Sequence, residues 1–160
     1  MEAQKYLDGK FLALAQGLET YHRRTFNEKV MDDLEFKQLV DNIINNCPEQ
    51  RQKWLKGRLE HGNEISLRKR IQCIIEPFKD IVGTSRQRCK IVNSIVYTRN
   101  YLTHFNESLK EKAASGKDLH FLNLKMEALL QLHFLQVLGF TQEQIKSIFN
   151  NCYQLQRKLK

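Results

Sequence analysis

Apolar residues along the chain recur at steps of three and four positions, which places them on one face of a helix. The first such stripe is Phe11, Leu14, Leu18 and Tyr21, and it predicts a helix over residues 4–24. No stretch shows sustained alternation of apolar and polar residues, so strands are not expected. The pattern therefore predicts an all-α fold.

Chain breakers and capping residues divide the later apolar stripes into separate helices. Thr141 and Gln144 form a capping box, and Gly139 lies where a helix C-terminus favours glycine. The predicted helices after the first are one ending before Cys47, a short one opened by Pro48 and ended by Gly57 and the stretch 61–63, and one over residues 66–75. They are followed by a helix capped by Thr84 or Ser85, a short one within 106–114, one over residues 118–138 and one over residues 141–159. We expect one domain, a bundle of about five main helices with short extra helices.

The chain has 160 residues and a net charge of +8, from 26 Lys and Arg against 18 Asp and Glu. The charge is concentrated in residues 51–99, which hold 12 basic and 4 acidic side chains. A concentrated positive field favours a polyanionic partner, most often nucleic acid, although a solvated basic helix surface has the same composition.

Several classes of protein lack their signature here. No apolar run approaches the roughly 20 residues that a membrane-spanning helix needs, and the N-terminus has no signal-peptide pattern. The four cysteines are widely spaced without a CxxC pair, which is typical of reduced thiols in the cytoplasm. HExxH, Walker A, GxGxxG and GxSxG motifs are absent from the sequence, and we expect no metal and no cofactor.

The most informative segment is Arg99-Asn100-Tyr101-Leu102-Thr103-His104, late in a predicted amphipathic helix. Arginine is permanently charged and can hold two phosphate oxygens, whereas histidine titrates near neutral pH and can take or give a proton. Asparagine can orient either group, so the set suits phosphate chemistry. The structural alternatives are a helix-end cation for Arg99 and a helix cap or core histidine for His104.

The spacing within this segment adds a constraint. On a regular helix Asn100 and His104 share a face, whereas Arg99 and His104 lie about 140° apart. One protomer would point both at the same atom only if the helix ends or bends here. Two copies of the motif facing each other across a symmetric interface would also bring the side chains together.

The segment RNYLTH resembles the R-x4–6-H signature of HEPN domains, a superfamily of α-helical bundles, in the form with Asn after Arg that is typical of its ribonucleases. More closely, the chain resembles an Apea-like HEPN domain, a likeness that also rests on residues 11–24 and 96–106. The family often carries this domain at one end of a larger chain. The resemblance therefore implies that residues 1–160 are a single HEPN-like domain, the C-terminal part of a longer protein.

The resemblance implies a metal-independent endoribonuclease of a bacterial antiviral, abortive-infection or toxin–antitoxin system. His104 would deprotonate a ribose 2′-hydroxyl or protonate the leaving 5′-oxygen, Arg99 would stabilise the transition state, and Asn100 would orient His104 or the phosphate. The products would carry 2′,3′-cyclic phosphate and 5′-hydroxyl ends. The implied partners are RNA, with tRNA as one candidate, a second copy of the chain that completes a composite site, and a sensor domain or antitoxin.

Residues around the motif supply further candidates. Arg86, Arg88 and Lys90 lie on the same predicted helix and are assigned to an RNA-binding strip. Tyr101 is assigned to base stacking, with packing at a dimer interface as its alternative, and the same holds for Tyr97. Glu19 is either an acid that pairs with Arg99 or a plain surface residue. Weaker basic candidates, whose facing the sequence does not give, are Lys53, Lys56, Arg58, Arg68, Lys69 and Arg70.

Two other functions stay open at this point. A non-catalytic HEPN module that binds RNA or nucleotide, or that serves dimerisation and regulation, would have the same fold and basic surface. An unrelated basic helical protein that binds DNA is the third possibility, and it is disfavoured because no compact helix-turn-helix signature is present.

Overall fold

A computed structural model of the chain describes residues 2–159. Among these residues there is no β-strand, only an isolated antiparallel bridge between Lys29 and Glu64. The helices are α1 (Glu2–Thr25), α2 (Asp33–Asn45), α3 (Glu49–Leu59), α4 (Leu67–Ile75), α5 (Lys79–Val82), α6 (Ser85–His104), α7 (Gly116–Val137), α8 (Gln142–Asn151) and α9 (Tyr153–Leu159), with 3-10 turns at Glu76–Phe78 and Glu107–Leu109. The all-α prediction is confirmed, with more helices than expected.

The described chain divides into two compact units. The larger unit contains the residues up to Arg24 and those from Leu67 onward, and the smaller unit is Thr25–Ser66. Within residues 2–159, none of the helices is long and apolar enough to cross a membrane.

The core of the larger unit is built from the apolar stripes of α1, α4, α6 and α7. Its fully enclosed side chains include Phe11 and Leu18 of α1, Ile71 and Ile74 of α4, Ile95 of α6, and Leu119, Met126, Leu129 and Leu132 of α7. Each such side chain contributes about 1.5–3 kcal/mol on burial. The stripe predicted for the first helix therefore faces the core, and α1 is a structural part of this unit.

Polar contacts fix the register of α1 against α7. Lys10 Nζ lies 2.7 Å from the Glu127 carboxylate, and Asn123 Nδ2 donates to the Leu7 carbonyl over 3.1 Å. Because these contacts fix the axial position of α1 relative to α7, they also fix the position of Glu19 along that helix.

The smaller unit has little buried surface, since neither α2 nor α3 contains a buried residue. Its connections are closed by the side chain of Asn63, which accepts from the Met31 N–H at 3.0 Å and donates to the Met31 carbonyl at 3.1 Å. The Asn63 carboxamide thus pairs with both backbone polar groups of Met31, as a neighbouring strand would.

Helix α6 carries the informative segment, and its start is sharply defined. Thr84 forms a capping box with Gln87, one of the two caps expected from the sequence. Gly83 precedes it with φ 119°, and a Cβ at this position would overlap the Gln87 carboxamide. Glycine is therefore required at Gly83 for both backbone conformation and space.

The predicted single helix over 141–159 is wrong. It is interrupted at Cys152, whose backbone is extended (φ −108°, ψ 93°), so that α8 and α9 are separate. Gln156 Nε2 donates to the carbonyls of Phe149 at 3.0 Å and Asn150 at 2.7 Å. This side chain satisfies carbonyl groups that the break leaves without helical partners.

One shorter prediction also differs from the structure. The helix expected within residues 106–114 is reduced to the 3-10 turn at Glu107–Leu109, because the Asn106 side chain accepts from the Ser108 N–H at 3.1 Å and favours a turn. Helix α3 ends at Leu59, between Gly57 and the stretch 61–63 that were predicted to mark its end.

Candidate active site

The C-terminal turn of α6 presents the Arg-Asn-x3-His segment at the surface of the larger unit. Ile95 and Thr98 are fully buried and anchor the helix, and Thr98 Oγ1 accepts from the Ala114 N–H at 2.8 Å. Helix α6 ends at His104, because Phe105 adopts a left-handed backbone with φ 48°. The segment therefore occupies the last helical turn, with one anchored side and one open side.

Arg99 is the centre of the polar cluster. Its Nη1 lies 3.4 Å from His104 Nε2 and 3.4 Å from Asn100 Oδ1, while Nη2 lies 3.6 Å from Glu19 Oε1. The backbone beneath is fixed by Thr103, whose hydroxyl donates to the Arg99 carbonyl at 2.7 Å. The structure thus brings all four of these predicted residues together within a single protomer.

The angular separation of Arg99 and His104 does not keep their side chains apart. The helix ends at His104, and the long arginine side chain spans the remaining arc, so one protomer joins the two groups. The condition stated for a single protomer, that the helix ends here, is met, so a second copy is not needed to bring Arg99 and His104 together. A second copy has to be argued on other grounds.

The contact with Arg99 has a consequence for the form of the imidazole. A guanidinium has only donors, so a hydrogen bond between Arg99 Nη1 and His104 Nε2 requires an unprotonated Nε2. His104 is exposed, and the Nε2 lone pair that the guanidinium meets here becomes available to a substrate hydroxyl when the guanidinium turns to a phosphate. This arrangement can take a proton from a hydroxyl and hold the anion that develops next to it.

Glu19 orients the arginine from the opposite side. Its side chain is 20% exposed and that of Arg99 is 31% exposed, so the pair lies partly out of water. Leu18, next to Glu19 on α1, is fully buried and fixes this part of the helix. The Glu19 carboxylate can hold the Arg99 guanidinium in place while Nη1 remains directed at His104.

The basic residues predicted as a strip on α6 do not share one face. Arg88 Nη1 donates to the carbonyls of Gly83 at 2.5 Å and Lys79 at 3.3 Å, so it closes the end of α5. By helix geometry Arg86 and Lys90 share the face of His104, at about 27 and 21 Å along the axis, whereas Arg88 does not. Arg88 is therefore committed to a structural contact, and the other two remain exposed.

Tyrosines on α6 are half-buried, and one of them contacts two cations. Arg68 Cζ and Lys112 Nζ each lie 5.8 Å from the centroid of the Tyr97 ring. Tyr101 is half-buried, and its carbonyl accepts the Phe105 N–H at 2.8 Å. The contact between Lys112 and Tyr97 has no local signal in the sequence, because the turn that carries Lys112 meets α6 only in the folded structure.

A search of curated proteins and a search of solved structures found no match to this chain. The Apea-like HEPN family, by contrast, matches residues 12–144, which include Glu19 and the whole of the Arg99–His104 segment. HEPN domains are often ribonucleases, and they commonly bind RNA and dimerise. The match covers most of the sequence, and the chain belongs to the Apea-like HEPN family.

Proposed function

We propose that the protein is an endoribonuclease that cleaves RNA by attack of a ribose 2′-hydroxyl on the adjacent phosphate. The observation that carries this proposal is the position of Arg99 Nη1, 3.4 Å from His104 Nε2, at the exposed end of α6. A proton acceptor and a fixed cation are the two groups that this reaction needs most.

In the proposed reaction His104 Nε2 removes the proton of the 2′-hydroxyl. The 2′-oxygen forms a bond to phosphorus, and the bond from phosphorus to the 5′-oxygen breaks. Arg99 stabilises the negative charge on the phosphoryl oxygens, and Asn100 orients the phosphate or the imidazole. The products are a 2′,3′-cyclic phosphate end and a 5′-hydroxyl end, and DNA, which lacks the 2′-hydroxyl, is not cut.

The leaving 5′-oxygen needs a proton from a second group. His104 of one protomer holds the proton taken from the 2′-hydroxyl. In one reaction cycle it therefore acts as the base, and the acid must be another group. We propose that the second copy in a homodimer supplies the other histidine, which makes the site composite. This argument rests on proton balance and replaces the one based on the angle between Arg99 and His104.

The roles of base, acid and charge stabiliser are all filled by side chains, so the proposed reaction needs no added metal or cofactor. Family membership supports a place in antiviral defence or in a toxin–antitoxin pair, with RNA, including tRNA, as the target. We propose that role for the whole protein, with the present domain as its ribonuclease.

The test is RNA cleavage in EDTA by wild-type protein and by Arg99→Ala and His104→Ala. Matched controls are Arg157→Ala and His120→Ala, which remove an exposed arginine and an exposed histidine elsewhere in the same unit. We expect cleavage at the wild-type rate by both controls, and cleavage slowed by about 10³-fold in the other two variants. Cleavage by His104→Ala at the wild-type rate would overturn the proposal, and RNA binding without cleavage by any form favours the non-catalytic HEPN module.

A further inference from the structure

Tyr97, Arg68 and Lys112 form a cluster on α6 that the proposed chemistry does not use. Arg68 comes from α4 and Lys112 from the turn that follows Glu107–Leu109, and both cations lie 5.8 Å from the centroid of the same ring. Three separate parts of the fold therefore bring two positive charges to one aromatic side chain. We call these three residues the Tyr97 cluster.

The two cations of the Tyr97 cluster have no acidic partner within the described residues 2–159. Among the residues that the structure describes, no carboxylate forms an ion pair with Arg68 or Lys112. Lys110, two positions before Lys112, is instead paired with Glu107 at 3.4 Å. Each of the two cations beside the ring therefore carries a charge that a phosphate of a bound polyanion would neutralise.

The arginine is also held in a defined position. Arg68 is half-buried and donates from Nη1 to Asn93 Oδ1, and α4 packs against α6 at this level. A guanidinium fixed by an amide and an aromatic ring loses less conformational freedom when it binds a ligand. Arg68 is thus held in position for an anion, and the exposed Lys112 adds a second charge beside the same ring.

The Tyr97 cluster lies on the same face of α6 as His104. Tyr97 precedes His104 by seven residues, which is about 10 Å along the helix axis and about 20° around it. A stacked nucleic-acid strand advances about 3.4 Å for each phosphate, so the separation corresponds to a few phosphates. An anion bound at the cluster and a phosphate beside His104 can therefore belong to one strand.

We infer that Arg68, Lys112 and Tyr97 form a phosphate-binding subsite for single-stranded RNA, an inference that rests on the proposed ribonuclease function. The strand runs along α6, with one phosphate beside His104 and a neighbouring part of its backbone at the cluster. A single strand is required because the 2′-oxygen must line up opposite the leaving 5′-oxygen, which the regular duplex prevents. Aromatic and cationic side chains along a groove are the usual means of holding such a strand.

The test measures binding of a fluorescent single-stranded RNA of about 12 nucleotides, within the range that such surfaces cover. All proteins carry His104→Ala so that cleavage does not interfere. The test variant is Arg68→Ala with Lys112→Ala. The matched control is Arg157→Ala with Lys110→Ala, which removes the same charges from an exposed arginine on α9 and from the lysine paired with Glu107.

We expect the test variant to bind RNA at least about tenfold more weakly, since each charged hydrogen bond to phosphate contributes substantially. The slope of log K against log salt should become shallower by about 1.4, the value for two lost phosphate contacts on a single strand. The control should match its parent protein in both measurements. Equal losses in test and control, or none in either, would overturn the subsite.

The role of the ring is tested separately by Tyr97→Phe and Tyr97→Leu. Phenylalanine keeps the ring that gathers the two cations, so binding should be retained, whereas leucine should weaken binding several-fold. Arg68→Gln with Lys112→Gln keeps the side-chain length if the alanine variant fails to fold. Equal affinity of the Phe and Leu variants would remove Tyr97 from the subsite.

Failure of the subsite and failure of the proposed function give different results. If the wild type cuts RNA in EDTA while the test variant binds like its parent, the subsite is wrong and the ribonuclease stands. If the wild type binds RNA in a manner that depends on Arg68 and Lys112 yet never cuts it, the subsite stands and the ribonuclease is wrong.

Discussion

His104 and His133 lie on the packed helices α6 and α7 of one unit, yet their surroundings are opposite. His133 is fully buried, with ring centroids 4.7 Å from Tyr21 and 4.8 Å from Phe78, and its Nε2 donates to the Ile74 carbonyl at 2.8 Å. His104 is exposed, and its Nε2 faces the Arg99 guanidinium.

The difference shows how one residue type serves packing in one place and chemistry in another. A histidine enclosed by aromatic rings and a backbone carbonyl has no path to a substrate, and its hydrogen bonds are used within the fold. A histidine beside a half-buried cation, open on its other side, can meet a phosphate. The predictions below test whether these two environments separate activity from stability.

The largest effect is expected from the exposed site. Arg99→Ala and His104→Ala should each lower RNA cleavage by about 10³-fold, because each removes a group that acts in the transition state. The double variant should be no slower than the slower single variant, since the two side chains act as a unit. Single-turnover cleavage rates provide the measurement, and a fully multiplicative double variant would contradict the joint action.

Truncation of the buried histidine should affect stability instead. His133→Ala removes a buried ring and its hydrogen bond to Ile74, and it should lower the free energy of unfolding by about 3 kcal/mol. Urea unfolding provides this value. The cleavage rate per folded molecule should stay at the wild-type level, and loss of cleavage with unchanged stability would reverse the comparison.

The buried histidine should also make stability depend on pH. Burial lowers the pKa of His133 from its ordinary value of 6.5, and hydrogen bonds to Ile74 and Gln136 partly oppose that shift. The unfolded chain therefore takes up a proton that the folded protein resists, so stability should fall as the pH drops below about 6.5. His133→Gln should flatten this decline in urea midpoints between pH 7.5 and 5.5, and an equally steep decline would assign it to other groups.

Glu19→Gln should have a smaller effect on the exposed site. The carboxamide keeps the shape but loses the charge that orients Arg99 at 3.6 Å, so kcat/KM for RNA should fall about tenfold. Glu143→Gln, an exposed carboxylate on α8, is the control. If both variants cleave RNA like the wild type, Glu19 has no positioning role.

The smallest effect concerns the residue that ends α6. Phe105 is 77% exposed and has a left-handed backbone, which costs a side-chain-bearing residue free energy that glycine does not lose. Phe105→Gly should therefore raise the free energy of unfolding by about 1 kcal/mol. A loss of stability in urea unfolding would show that the exposed ring contributes packing that outweighs the backbone strain.

Local patterns were sufficient to predict most of the helices. The stripe of α1 faces the core, and Thr84 and Thr141 cap helices through local contacts that the sequence displays. The break at Cys152 could not be predicted, because it is sustained by a side chain that arrives from the next helix and no glycine or proline marks it.

The site was predictable in composition but not in geometry. Arg99, Asn100 and His104 are adjacent in sequence, whereas their mutual distances depend on where α6 ends, and Phe105 is an unusual residue for a left-handed helix end. The proximity of Arg68 and of Lys112 to Tyr97 arises from contacts across 29 and 15 positions, which no local pattern contains. Tertiary packing alone decides which of the basic residues meet.

The most direct test of the central claim is the chemistry of the cleaved ends. Wild-type protein is incubated in EDTA with an RNA and with the same sequence as DNA, and the products are examined by mass spectrometry. The account predicts 2′,3′-cyclic phosphate and 5′-hydroxyl ends from the RNA and intact DNA. Ends bearing 5′-phosphate, or cleavage of the DNA, would contradict attack by the 2′-hydroxyl at Arg99 and His104.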